Sequence, residues 1–100
     1  MRRVPYHPDA RTEFLHEVDY FAAVSARLAE HHDNAVRLAE ERACDAPEAW
    51  PKYKRGTRRV IDRTFKFSLA YVHSDSEVYV VAVASMPPQP GYWQRRLGRP

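Results

Sequence analysis

The sequence has a single cysteine, Cys44, and only three glycines in 100 residues. One thiol cannot close an internal disulfide and gives no metal-binding pattern, so Cys44 reads as a small helix residue rather than a reactive group. No apolar run approaches the roughly 18 to 20 residues that a membrane span needs. The opening MRRVPYHPDAR carries two arginines with no apolar stretch behind them, which is not the build of a secretory signal. An intracellular, cytoplasmic chain with no membrane partner is expected. Strong net charge is lacking too: the balance is +3 and the isoelectric point about 9.2. That value alone is weak evidence for a nucleic-acid partner.

What is present is a charge that gathers in one place. Between Asp9 and Asp45 acids and bases roughly balance, whereas KYKRGTRRVIDRTFK, residues 52–66, is crowded with lysine and arginine and holds one acid, Asp62. A local basic patch points to an anionic or acidic partner. The hydrophobic fraction of 44% fits a single core, and 100 residues are expected to form one domain, 1–100.

Residues 1–6 alternate around Val4 and Tyr6 and are read as a brief strand. Pro8 and Asp9 then suit a helix start, and Ala10, Phe14, Val18 and Phe21 recur at helical spacing, with Leu15 and Ala22 widening the stripe. The helical pattern runs on to Ala46 without glycine, which is long for so small a domain. Ser25 offers a cap, and Leu28, His32, Val36, Ala39 and Ala43 define a second stripe, so the spacing predicts a hairpin broken near residues 25–27. The second stripe is thin and is expected to stabilise the fold less than the first. His31 and His32 point about 100° apart on a helix and cannot share a metal as i, i+4 residues could. His32 is read as partly buried and His31 as solvent-facing; no metal and no cofactor is expected.

Pro47 and Pro51 close the helical region, with Trp50 expected to pack over the end of the hairpin. Residues 57–65 alternate as a strand, with Arg59, Ile61, Arg63 and Phe65 on one face and Arg58, Val60, Asp62 and Thr64 on the other. Residues 67–73 form the next strand, Ser74-Asp75-Ser76 supplies a turn, and residues 77–85 return antiparallel. The last strand is apolar on both faces, so it is expected to lie centrally. Strand, helix, helix and three strands give an α+β domain: an antiparallel-rich sheet with a helical hairpin on one face. The tail MPPQPGYWQRRL then sets Tyr92 and Trp93 beside Arg95 and Arg96, an arrangement expected to be held against the fold.

These elements, with several local strings, resemble the ParE/RelE superfamily of toxins from type II toxin–antitoxin modules. The strings are HPDARTEF and DYF in the first helix, PEAWP after the second, GTRRVIDRTFKFSLAY across two strands, and VVAVAS followed by PGYW at the end. The resemblance runs from Tyr6 to Leu97 and implies a RelE/ParE-like fold whose end segment folds back beside the sheet edge. It also implies a cognate antitoxin, commonly acidic and partly disordered, as partner. ParE-like members, known from plasmid stabilisation, poison DNA gyrase without being known as catalysts; RelE-like members cut messenger RNA on the ribosome. The nuclease chemistry needs a base, charge stabilisation at phosphate and an acid. On that reading Lys52, Lys54, Arg59, Arg63 and Tyr92 would carry it. Where family members often have a histidine followed by arginines, this chain has Ser85-Met86-Pro87-Pro88, which favours the gyrase-binding alternative or an inactive relative that only binds an antitoxin. The resemblance implies a target- or antitoxin-binding surface of Arg58, Arg59, Arg63, Tyr92, Trp93, Arg95 and Arg96. The plainer readings stand beside it: the strand arginines as solvated residues that discourage edge pairing, and Tyr92 with Trp93 as a latch over the core.

Overall fold

A computed structural model describes residues 2–85 and 92–98. Two helices, α1 (Pro8–Val24) and α2 (Ala26–Asp45), precede three strands, β1 (Arg58–Asp62), β2 (Phe67–His73) and β3 (Val78–Ser85). His7 is the N-cap of α1, its Nδ1 accepting the Asp9 N–H at 3.0 Å. Pro8 follows where its missing N–H costs nothing. Ser25 alone separates the helices: its own N–H closes α1 on the Phe21 carbonyl, while its Oγ accepts the Leu28 N–H that opens α2. The break therefore falls where the capping residue stands.

The helices divide the work differently from the expectation. Helix α2, with its thin stripe, buries His32, Val36, Ala39, Ala43 and Cys44, whereas α1 fully buries only Ala10. The larger Phe14 is only partly buried against the same core. His32 is 1% exposed, deeper than expected, and His31 is exposed.

The three strands pair antiparallel in the order β1-β2-β3, so β2 rather than β3 is the middle strand. The outer edge of β3 is nevertheless half covered. The brief N-terminal strand exists only as two parallel bridges, Arg3 to Glu77 and Tyr6 to Val80. Val78 and Val80 donate N–H groups to the carbonyls of Arg3 and Pro5 at 2.8 and 2.9 Å. Pro5 can accept but not donate, which keeps the pairing short.

Strand β1 ends three residues before the alternating pattern does. Arg63 to Lys66 form a turn, because the Asp62 carboxylate accepts the Phe65 N–H at 2.7 Å and Lys66 takes a left-handed φ of 57°. Arg63 is thus a turn residue, and Phe65 swings under α1 and α2 to meet Phe21 and His32.

Apolar character on both faces of β3 has a concrete cause. Ala70 pairs with Ala82 but Tyr71 with Val80, so Val81 is an extra, bulged residue. The bulge sends both Val81 and Ala82 to the face away from the helices, while Val80 and Val83 stay in the helix-facing core. That second face is closed by Trp93, 1% exposed, which packs with Ala70, Tyr79, Val81 and Ala82. The sheet is therefore covered on both faces, by the hairpin and by the C-terminal segment. No helix among the described residues is long and apolar enough to cross a membrane.

Candidate functional site

The basic segment does not act as a uniform patch; the fold sorts it. Arg58 is consumed structurally, donating from Nη1 to the Trp50 carbonyl at 2.6 Å. Trp50 in turn donates its indole N–H to the Arg42 carbonyl at 3.1 Å, which satisfies a C-terminal acceptor of α2. Trp50 packs on the helix-facing core, as the sequence leads one to expect. The chain then crosses to β1 through a short bridge, Lys52 to Arg58, and a tight turn, Lys54–Gly56. Arg55 holds a φ of 57° in that turn and Gly56 a φ of 76°.

Beyond this turn a groove of about 310 Å³ opens along β1, lined by Trp50, Pro51, Lys52, Tyr53, Arg59, Ile61 and Arg63. Arg59 and Ile61 project here because they alternate with Val60, which is buried in the helix-facing core. The Arg59 guanidinium lies 4.0 Å over the Tyr53 ring, and Tyr53 leans on Trp93 at 5.9 Å between centroids. Among the described residues Lys52, Lys54, Arg59 and Arg63 form no ion pair. Their charge faces outward without a counter-ion from the chain itself.

Tyr92 is anchored toward the opposite edge of the sheet, beside β3. Its hydroxyl donates to Glu13 Oε2 of α1 at 2.7 Å, and the Arg96 guanidinium sits 5.1 Å from its ring centroid. Burial, with the Glu13 carboxylate second, pushes its pKa above the ordinary phenol value. Glu13 packs against β3 through the Val83 N–H, whereas the groove follows β1. The Tyr92 hydroxyl is thus engaged at the β3 side, and Tyr92 is not among the residues that line the groove.

Of the residues singled out from sequence, the fold brings Lys52, Arg59 and Arg63 into one groove, with Lys54 in the adjoining turn. It does not bring Tyr92 to them. Trp93 is a buried anchor, Arg96 an ion-pair partner of Glu13 and Asp9, and Arg95 is exposed. The expectation resting on Met86 to Pro88 lies outside the described residues. Tyr53 and Ile61 line the groove, and sequence reading passed over them. The signal was present in KYK, an aromatic residue between two lysines ahead of a basic strand.

Among the described residues no group of three or more histidine, cysteine, aspartate or glutamate side chains could hold a metal ion. Cys44 is buried, and burial raises its thiol pKa above the ordinary value. Comparison with protein-family models gives no match, and comparison with curated proteins gives none.

Proposed function

We propose that this chain is the toxin component of a type II toxin–antitoxin pair, of the ParE-like kind. On this reading it acts in the cytoplasm by binding DNA gyrase and is neutralised by a cognate antitoxin protein. The α+β arrangement of hairpin and antiparallel sheet is in keeping with the sequence resemblance that suggests it. The observation that carries the choice between gyrase binding and message cleavage is the separation of Tyr92 from the basic groove. A nuclease would need an acid within hydrogen-bond reach of the leaving oxygen while cations hold the phosphate. The Tyr92 hydroxyl instead donates a hydrogen bond to Glu13, and its raised pKa makes it a poorer acid than a free phenol. A binding protein needs no such convergence.

Two assays on the purified, partner-free chain decide. Gyrase supercoiling should be inhibited, and message ends mapped by primer extension in a bacterial translation extract should be unchanged. Ribosome-dependent cuts that disappear with Tyr92→Phe would replace this reading with a RelE-like nuclease. Intact message together with unimpaired gyrase would leave a relative that binds an antitoxin and nothing more.

A further inference from the structure

A second cleft, of about 560 Å³, opens at the C-terminal end of α2, where the turn of residues 46–49 faces the β2–β3 turn. Arg2, Pro47, Glu48, Ala49, His73 and Asp75 stand around it, and its volume lies in the range of small-molecule sites. Both walls are fixed. The Tyr71 hydroxyl donates to the Pro47 carbonyl at 2.6 Å and ties the first wall to β2. In the second wall the Ser74 N–H donates to the Glu77 carbonyl at 2.9 Å, and the Ser76 N–H to Ser74 Oγ at 3.3 Å. Arg2 joins the two walls, its Nε donating to the Ser74 carbonyl and its Nη1 to the Cys44 carbonyl, each at 2.9 Å.

The charges around this cleft do not answer one another. Arg2 gives two donors to backbone carbonyls, while its Nη2 has no hydrogen-bond partner and no carboxylate pairs with it among the described residues. Glu48 and Asp75, one on each wall, form no ion pair either. An anion alone, such as phosphate, would be drawn by Arg2 and repelled by both carboxylates. A cation alone would meet the opposite conflict. Glu48, His73 and Asp75 do not make a metal-binding group. A molecule that carries both charges a few Å apart meets neither conflict.

We infer that this cleft binds a free α-amino acid. Its carboxylate lies on the Arg2 guanidinium, its ammonium between Glu48 and Asp75, and an apolar side chain against Pro47 and Ala49. The planar donor edge of Arg2 matches a carboxylate. Its two backbone hydrogen bonds hold it in place before any ligand arrives, so little ordering is lost on binding. The ligand would join residues 2, 48 and 75, which belong to three separate segments, and should raise the thermal midpoint. The cleft shares no residue with the β1 groove, and its occupancy does not depend on the toxin reading.

The test titrates L-leucine into the isotope-labelled full chain and follows backbone amides by NMR. Those of Glu48, Ala49, Ser74 and Asp75 should shift and saturate, with a Kd of about 1 mM. Leucinamide lacks the carboxylate and N-acetyl-leucine the ammonium; each should bind about tenfold more weakly or worse. Glu48→Gln with Asp75→Asn should weaken leucine by a similar factor, and both positions are exposed, so the fold is kept. Arg2→Lys keeps the charge but loses the planar fork, and should weaken leucine severalfold. Arg27→Gln, exposed near the start of α2, should change nothing. Absent saturation overturns the inference, and so does binding indifferent to the Glu48 and Asp75 changes. Leucinamide or N-acetyl-leucine binding as tightly as leucine overturns it as well. Inorganic phosphate that binds more tightly than leucine, and tighter still to the double variant, would replace it with a plain anion site.

Discussion

Glu13 of α1 and Arg96 of the C-terminal segment meet in a two-pronged ion pair, Nη1 to Oε1 at 3.0 Å and Nη2 to Oε2 at 3.3 Å. Each partner also holds backbone of the same strand. Glu13 accepts the Val83 N–H at 3.1 Å, and Arg96 donates to the Val81 carbonyl at 3.0 Å. The parallel N-terminal bridges end at Val80, so two side chains take over where the backbone stops. The bulge at Val81 makes this possible by turning part of the strand out of its ladder. One edge of the sheet is thereby finished with side chains, while the β1 edge keeps its charges unpaired.

Removing either member should therefore cost more than a surface ion pair would. Glu13→Ala leaves a largely buried guanidinium, Arg96 having a side chain only 13% exposed, with Asp9 at 3.8 Å as its remaining carboxylate, and also frees the Val83 N–H and the Tyr92 hydroxyl. A loss of about 2–4 kcal/mol is expected by urea denaturation. Tyr92→Phe removes one hydrogen bond of this set and should cost about 1 kcal/mol. A Glu13→Ala variant as stable as wild type would show that the pair is not holding the edge.

Trp93 should behave as the anchor of the second face. It is 1% exposed and stands over small residues, Ala70 and Ala82, that have no bulk of their own to fill its place. Trp93→Ala should lower stability by about 3–5 kcal/mol, and Trp93→Phe by less. Fluorescence quenching offers a second view: acrylamide should reach Trp50 readily and Trp93 poorly. Equal quenching of single-tryptophan variants would contradict the burial.

The parts of this fold that can be read from sequence are those set by local rules. The helix stripes, the break at Ser25 and the turn at residues 74–76 each follow from period or capping chemistry carried within a few residues. The end of β1 was misjudged because the polar–apolar alternation continues through Phe65, while the Asp62 carboxylate turns the chain earlier. The bulge at Val81 depends on register with β2, which no residue near it announces. The site divides in the same way. KYKRGTRR declares a basic surface, but the loss of Arg58 to the Trp50 carbonyl depends on packing. Tyr92 finds its partner 79 residues away, and that contact exists only once α1 and β3 are side by side.

Ser25 should be worth more than its exposure suggests, because it serves two helices at once. Its hydroxyl caps α2, and its extended φ of −165° makes the reversal. Ser25→Ala should cost about 1 kcal/mol, the range for a lost N-cap. Ser25→Asp should restore most of that, since its carboxylate can accept the same N–H and favours a helix N-terminus. A Ser25→Ala variant with unchanged thermal midpoint would remove the capping role.

The pH dependence of stability should carry two opposed contributions, and they can be separated by mutation. His32 is enclosed by Phe14, Phe21, Phe65 and Phe67, with ring centroids 4.7 to 6.0 Å away, and its Nδ1 has no hydrogen-bond partner among the described residues. Burial lowers its pKa below 6.5 despite the carboxylates of Glu17, Asp33 and Asp62, which pull the other way. As pH falls through 6.5 the unfolded chain takes up a proton that the folded chain resists, so stability drops. Glu40 works in the opposite sense. Burial raises its carboxyl above 4.5, although the hydrogen bond it accepts from the Tyr6 hydroxyl pulls the other way, so its contribution is present at low pH and is lost as pH rises through the native value. His32→Leu should flatten the stability curve on the acid side of 6.5, and Glu40→Gln should flatten the decline that begins near 4.5. Denaturant midpoints measured across that range check both slopes. A His32→Leu chain that still loses stability between pH 6.5 and 5 as steeply as wild type would show that the aromatic cage is not what excludes the proton.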